Sequence, residues 1–447
     1  MLTNIIIGIF GLSIVVFFHE GGHFLAAKLF GIKVEAFSIG WGKKLFSFNR
    51  GGTEYCISML PMGGYCKMKG EESLDENAVE ADREGSLSAA PPWKKAIIYF
   101  AGPFMNLIFS VVALSFIWMG GMTVTSPENR ILLASEYTTK EQSFAADRAG
   151  LESGDYIVSV NGKGVTNFQE LREEISTKAK KEIHLGVLRD GKETDLTLAP
   201  ELDRSTGAGK IGVYPWIDPV LDNIKEGSSA DIAGLKAGDI ITSVDGKKII
   251  NHMDLVSVLL SKPDRMGITY NRDGKEYSTN MILDYRDGQI VDPGISFRMN
   301  RYEIPGLSFP KAIVKGTEES FKNLYNSVAS LRLLFGGVDL NQAVSGPIRI
   351  TYMMGEITTR GFSESMNAGM VNFLNFLSLI NIALFVMNML PIPALDGGQI
   401  LFCILEMIRR KKFRTKIAVR YQIIGFSILI SLMIMTLFND LVFLIKN

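Results

Sequence analysis

The chain has 447 residues, 47% hydrophobic and 21% charged, a balance that suits long apolar stretches joined to ordinary water-facing domains. Lys plus Arg and Asp plus Glu number 47 each, so no overall basic field exists to hold a nucleic acid, and nucleic-acid partners are excluded on charge. The three cysteines, Cys56, Cys66 and Cys403, have the count and spacing of neither a disulfide framework nor a zinc knuckle and are read as free thiols.

Residues 5–30 are apolar except for His19, Glu20, His23 and Lys28, long enough to cross a hydrocarbon core of roughly 30 Å as a helix. The start Met1-Leu2-Thr3-Asn4 lacks a basic n-region and no small-x-small site ends the run, so a retained span is expected rather than a cleaved signal. Within the span, His19-Glu20-Gly21-Gly22-His23 is the HExxH pattern. Residues four apart share one face of a helix, so both imidazoles can reach one zinc ion while Glu20 activates a water as general base. HExxH also arises by chance on solvated helices. In an apolar span, however, an ionisable side chain costs at least roughly 2.5 kcal/mol, so it requires a compensating partner, and a metal supplies one.

Residues 34–68 are rich in Gly, aromatic and alternating positions, as in Phe37-Ser38-Ile39-Gly40-Trp41-Gly42. They are expected to form short β-hairpins that dip into the membrane beside the motif and offer an edge to substrate. Further uncharged runs at 97–119, 370–395 and 423–438 bring the expected spans to four. Lys33, Lys43, Lys44, Arg50, Lys67, Lys69, Lys94 and Lys95 lie between spans one and two. Arg409, Arg410, Lys411, Lys412, Arg414 and Lys416 lie between spans three and four. The positive-inside rule places both connections in the cytoplasm and everything between spans two and three on the outer side.

That outer segment repeats itself. Ala149-Gly150-Leu151-Glu152-Ser153-Gly154-Asp155-Tyr156-Ile157 returns as Ala233-Gly234-Leu235-Lys236-Ala237-Gly238-Asp239-Ile240-Ile241, each followed by a strand, a tight turn at Asn161-Gly162 or Asp245-Gly246, and a helical stretch at 167–176 or 252–260. The two copies resemble PDZ domains of the bacterial periplasmic-protease type. Such domains bind a peptide as an added strand or stand as a steric gate, and the signature leaves both open.

The remaining histidines, His184 and His252, fall inside the repeats, so a third histidine ligand is not expected. Between residues 366 and 405 the sole acid is Asp396, in Asn388-Met389-Leu390-Pro391-Ile392-Pro393-Ala394-Leu395-Asp396-Gly397-Gly398. A lone carboxylate at the end of an apolar run needs a positive partner, which zinc would be, although Asp before Gly-Gly can also simply cap a helix.

The HExxH helix, the run Ala101-Gly102-Pro103-x-x-Asn106 and the run from Asn388 to Gly398 together resemble the site-2 protease family of intramembrane zinc metalloproteases. The match runs in order over nearly the whole chain, with Met389 standing where that family usually has Leu. The resemblance implies zinc held by His19, His23 and Asp396, Glu20 as the catalytic base, and Asn388 holding the substrate backbone. It also implies regulated proteolysis of single-span membrane proteins such as anti-sigma factors, in a stress response, at a bacterial inner membrane. Membrane lipid and peptide ligands of the PDZ pair are the other partners expected.

The expected fold is a polytopic α-helical membrane protein with four transmembrane helices, a membrane-associated β-hairpin region and two tandem α+β PDZ domains. Its divisions are a first span with HExxH (1–33), a β region and linker (34–95), a second span (96–120), two PDZ domains (121–214 and 215–300), an amphipathic linker (301–365), a third transmembrane segment (366–408), and a basic loop with the fourth span (409–447). A non-catalytic adaptor that binds peptides through its PDZ pair is the competing reading, and the intact Glu20 argues against it. A metalloenzyme acting on a small substrate, such as an amidase, is another, since ligands alone do not name a substrate.

Overall fold

The computed structural model of the chain describes residues 2–71, 84–138, 142–204, 207–286, 289–334, 346–411, 413 and 415–446; Lys412, Arg414 and the part of the expected amphipathic linker at 335–345 lie outside these. It divides into two units, Met1–Met122 with Ile304–Asn447, and Thr123–Glu303.

The first unit begins with α1 (Leu2–Leu29), which carries the HExxH pattern in its second half. At 1.5 Å per residue it is about 42 Å long, more than a hydrocarbon core requires. It stops because Gly31 takes a left-handed conformation, φ +75°, and the Ile32 N–H donates back to the Ala27 carbonyl at 2.9 Å, the closing bond of a Schellman turn.

The chain then forms β1 (Val34–Arg50) and β2 (Thr53–Met68), joined through Gly51-Gly52 with φ of +58° and +75°, the geometry of a two-residue hairpin turn. The pair folds back on itself. Ala36 faces both Lys67 and Glu54, Ser38 faces both Tyr65 and Cys56, and Phe48 faces Tyr55. Four segments therefore lie side by side, in the order 64–67, 36–39, 54–57 and 46–50. The fold-back is pinned by Trp41 Nε1 donating to the Gly64 carbonyl at 2.9 Å and by Ser38 and Ser58 sharing a buried hydroxyl bond of 3.0 Å. Leu45, Phe46 and Phe48 on the outer segment are exposed.

Among the described residues of this unit, one further helix precedes the second unit's insertion and five follow it: α2 (Pro92–Gly120), α3 (Phe309–Leu334), α4 (Pro347–Glu364), α5 (Met366–Asn388), α6 (Asp396–Arg409) and α7 (Thr415–Lys446). Helix α2, which opens with Pro92 at its first turn, packs against α1, α3, α5 and α6 and is the hub of the unit. At its middle the buried hydroxyl of Ser110 bonds Ser378 of α5 at 2.6 Å and Ser320 of α3 at 3.2 Å, a polar tie between close-packed helices. Helix α4 crosses α1 at small residues: a Cβ on Gly8 would strike the Thr351 carbonyl, and one on Gly355 the Asn4 carbonyl. Helix α4 has no side-chain cap of its own. Instead Asp440 of α7, fully buried, accepts from the Gly346 and Ile348 amides at 3.0 and 2.9 Å, an anion satisfying a helix N-terminus.

Among the described residues four helices are long and apolar enough to cross a membrane, at Thr3–Leu29, Pro92–Gly120, Met366–Asn388 and Val419–Phe438. The third is shorter than the apolar run that announces it. Hydropathy carries to residue 395, but the helix ends at Asn388, because Pro391 and Pro393 lack amide donors and push the residues before them out of helical geometry.

The second unit holds two cores, one around Ile157, Leu171 and Leu185 and one around Ile241, Leu255 and Ile268. Each lies under a four-stranded antiparallel sheet of the same order. In the first copy the strands run Lys163–Gly164, Tyr156–Val160, Ile183–Arg189, Lys192–Leu198; in the second, Lys247–Lys248, Ile240–Val244, Arg265–Arg272, Lys275–Ile282. Their tight turns are Asn161-Gly162, Asp190-Gly191, Asp245-Gly246 and Asp273-Gly274, all with positive φ at both positions. The sheet helices start at Phe168 and His252, capped by Asn167 and Asn251.

The repeated Gly-Asp has a structural task. The buried Asp155 carboxylate takes both prongs of Arg189 at 2.7 Å, and Asp239 takes both prongs of Arg272 at 2.6 and 2.7 Å. Each arginine also donates to the carbonyl of the signature glycine, Gly150 or Gly234.

Candidate metal centre

On α1, His19 and His23 stand one turn apart with their Nε2 atoms 3.3 Å from each other. Asp396, the first residue of α6, brings Oδ2 to 3.4 Å from His19 Nε2 and Oδ1 to 3.5 Å from His23 Nε2. One donor atom from each of the three lies within 4.8 Å of the others, among the described residues the one such group of His, Cys, Asp and Glu. Zinc binds such donors at about 2.0–2.2 Å, and a tetrahedron with arms of that length has edges of roughly 3.3–3.6 Å. The separation of the two imidazole nitrogens matches such an edge, and the carboxylate offers one oxygen to each ring at a similar distance, so two imidazoles and a carboxylate make a donor set that would suit a zinc ion.

Asp396 reaches this place through the proline turn. After α5 ends, the chain doubles back so tightly that a Cβ on Gly397 would strike the Met389 and Leu390 carbonyls, and one on Gly398 the Ile392 carbonyl. The two glycines thus permit the turn to lie on the first turn of α6. Tyr421 of α7 fastens it by donating to the Gly398 carbonyl at 3.0 Å. The residue at the N-cap of α6 is Leu395, and no side chain caps that helix, so the carboxylate of Asp396 is not spent on capping.

The histidines are set by α2. His23 is buried, and its Nδ1–H donates to the Ile98 carbonyl at 2.8 Å, which leaves Nε2 free as a ligand atom. His19 has Asn106 of α2 against its Nδ1 at 3.2 Å. The helices come this close because both are bare at the crossing. A Cβ on Gly22 would collide with the Ala101 carbonyl, and one on Gly102 with the His23 ring. Gly21, by contrast, faces open space.

Glu20 is half-buried and lies against β2. A Cβ on Gly64 would sit 3.3 Å from its Cγ, and the Cys66 amide is within hydrogen-bonding reach of its carboxylate. The edge segment 64–67 therefore runs beside the carboxylate. Asn388 is placed at the last turn of α5 and is half-buried. His184 and His252 are in the second unit. All three cysteines are free and buried.

Sequence reasoning did not find the contacts that the Ile98 carbonyl and the Asn106 amide of α2 make with the two rings, or the Gly22–Gly102 crossing. A carbonyl leaves no trace in a sequence, but a polar Asn106 and a Gly102-Pro103 pair inside an apolar span were signals of close helix contact.

Comparison with known proteins gives the chain its family. The family model for peptidase family M50 matches residues 7–432. A protein of Treponema pallidum (strain Nichols), named as a candidate zinc metalloprotease, is 34% identical over 99% of this chain and all of its own length. A protein of the same description in Borreliella burgdorferi is 32% identical over 98% of both chains, and the regulator of sigma-E protease RseP of Escherichia coli (strain K12) is 30% identical over 97% of both. The chain belongs to peptidase family M50, the site-2 protease family, and is an intramembrane metalloprotease with zinc as its cofactor.

Proposed function

We propose that this protease cleaves single-span membrane proteins of the anti-sigma-factor type at a peptide bond within or near the transmembrane helix, with His19, His23 and Asp396 as zinc ligands and Glu20 as general base. The observation that carries this reading is the meeting of two imidazole nitrogens 3.3 Å apart with a carboxylate that turns one oxygen to each of them, at 3.4 and 3.5 Å, within apolar helices. The kinship with a regulator of sigma-E protease supports the substrate class.

Zinc bound there supplies Lewis acidity, lowering the pKa of a coordinated water toward about 7. Glu20 takes the proton that the attacking water gives up and delivers it to the departing nitrogen, so that the amine leaves neutral. A helical substrate hides its peptide bonds in internal hydrogen bonds and must first be opened into a strand. The edge segment 64–67, beside Glu20, receives that strand by pairing with it, and Asn388 holds its backbone.

The two repeats of the second unit act as PDZ domains on the outer side of a bacterial inner membrane, either selecting peptides or excluding bulky ones. The basic residues around the hairpin and after α6 support a cytoplasmic position for those segments.

The test is cleavage of a purified single-span protein by full-length enzyme before and after stripping zinc with a chelator. Activity that vanishes, returns with zinc, and maps to a bond in or next to the apolar span is the expected result. Cuts confined to the substrate's soluble portions would overturn the reading.

A further inference from the structure

His19 and His23 each turn Nε2 toward Asp396 and leave Nδ1 facing away into the protein. A neutral imidazole carries one proton. A ring that binds a metal through Nε2 therefore holds that proton on Nδ1 and requires an acceptor there. His23 has one in the Ile98 carbonyl. For His19, the hydrogen-bonding group found at Nδ1 among the described residues is the side-chain amide of Asn106, at 3.2 Å.

Asn106 is fully buried. The two ends of an amide exchange places on a half-turn, so which end faces the ring follows from the chemistry of its neighbour. With nitrogen toward the ring, the amide oxygen is buried without a partner, and His19 must carry its proton on Nε2, the atom that faces Asp396 and His23. With oxygen toward the ring, the amide accepts from Nδ1–H and Nε2 keeps its lone pair; the amide nitrogen is then the end without a protein partner.

Resting on the reading of His19 as a zinc ligand, we infer that Asn106 is a positioning residue: its carbonyl oxygen accepts the His19 Nδ1 proton and so selects the tautomer whose Nε2 binds the ion. Helix α2 then governs both rings, His23 through a backbone carbonyl and His19 through a side chain. The assignment gives Asn106 a task beyond packing, since its fully buried amide then spends its oxygen on the His19 ring.

Zinc affinity of the full-length, detergent-purified protein, measured by competition with a chelating dye, separates the two ends of the amide. Asn106→Leu removes both ends, whereas Asn106→Asp keeps an acceptor and loses the donor. With the zinc-free proteins still folded by thermal unfolding, Asn106→Leu is expected to bind zinc roughly 10- to 100-fold more weakly, and Asn106→Asp to bind at least about as tightly as wild type. Wild-type affinity in Asn106→Leu would overturn the inference. Equal weakening in both variants would overturn it as well, since the donor would then be the essential end. A wild-type protein that takes up no zinc would instead remove the ligand reading of His19, and the role of Asn106 with it.

Discussion

The Nε2 of His19 and the Oδ2 of Asp396 lie 3.4 Å apart, which ties the first apolar span to the helix that follows the third. Either residue alone would be an expensive polar group in apolar surroundings. Together with His23 they make a donor set of ordinary zinc chemistry, and the proline turn, the paired glycines and Tyr421 serve to hold Asp396 in that set.

Replacing the carboxylate tests this directly. Asp396→Asn keeps the shape of the side chain but loses the charge that balances a dication. Its zinc affinity is expected to fall by more than the roughly 10- to 100-fold typical of an outer-shell partner, while the helical content by circular dichroism stays as in wild type. Unchanged zinc occupancy would remove Asp396 from the ligand set.

The two glycines inside HExxH differ sharply in what surrounds them. Gly22→Ala forces a Cβ against the Ala101 carbonyl and to 2.9 Å from the Gly102 Cα, so α1 and α2 must part and the His23–Ile98 bond loosen. About 1–3 kcal/mol of destabilisation and loss of bound zinc are expected. Gly21→Ala meets nothing within 4 Å, so thermal stability and zinc content should be retained or slightly raised. Equal effects in the two variants, by thermal unfolding and metal analysis, would contradict the close crossing of the helices.

In the second unit, Arg272→Ala strands the Asp239 carboxylate, whose side chain is 0% exposed and keeps only the Lys236 amide at 2.8 Å. Removing one partner of a buried pair destabilises by roughly 3–5 kcal/mol, and the retained amide bond places this case near the lower end. Faster hydrogen exchange in residues 240–244 and 265–272 is the readout. Lys163→Ala, which breaks an exposed pair with Glu174, should change stability by less than about 1 kcal/mol.

The same unit contains a pH dependence. Burial holds the His252 pKa below its ordinary value, with Asp254 opposing in part, and its buried Nδ1 has no hydrogen-bond partner among the described residues. Below about pH 6.5 the unfolded chain binds a proton that the folded chain resists, so stability falls as the pH drops through that value and levels off beneath the folded pKa. Thermal unfolding of wild type at pH 7.5 and 5.5 should show this decline, and His252→Gln should make it smaller.

The features legible in the sequence are those with long or chemically rare signals. Four apolar runs mark the spans because a bilayer demands about 20 residues of one character. The HExxH pattern and Asp396 stand out because ionisable groups are scarce there, and the repeat is visible because Asx-Gly turns recur at matching places. What depended on close contact was hidden. The doubled hairpin rests on register shifts between Ala36 and Phe46, which alternation cannot encode. The pairing of Asp155 with Arg189, and of Asp239 with Arg272, joins residues on different strands. The early end of α5 was written in Pro391 and Pro393, but hydropathy, being blind to missing amide donors, ran past it. Helices α4 and α6 are too short or too polar to register as spans.

The most direct test is to measure zinc content and cleavage of a model single-span helix side by side in wild type and Glu20→Gln. Glu20 offers no ligand atom to the donor cluster, so equal zinc content is expected, while cleavage should fall by about 10²- to 10⁴-fold with the general base removed. Equal cleavage by the two proteins at equal zinc content would contradict the assignment of Glu20 as base and, with it, the mechanism built on this site.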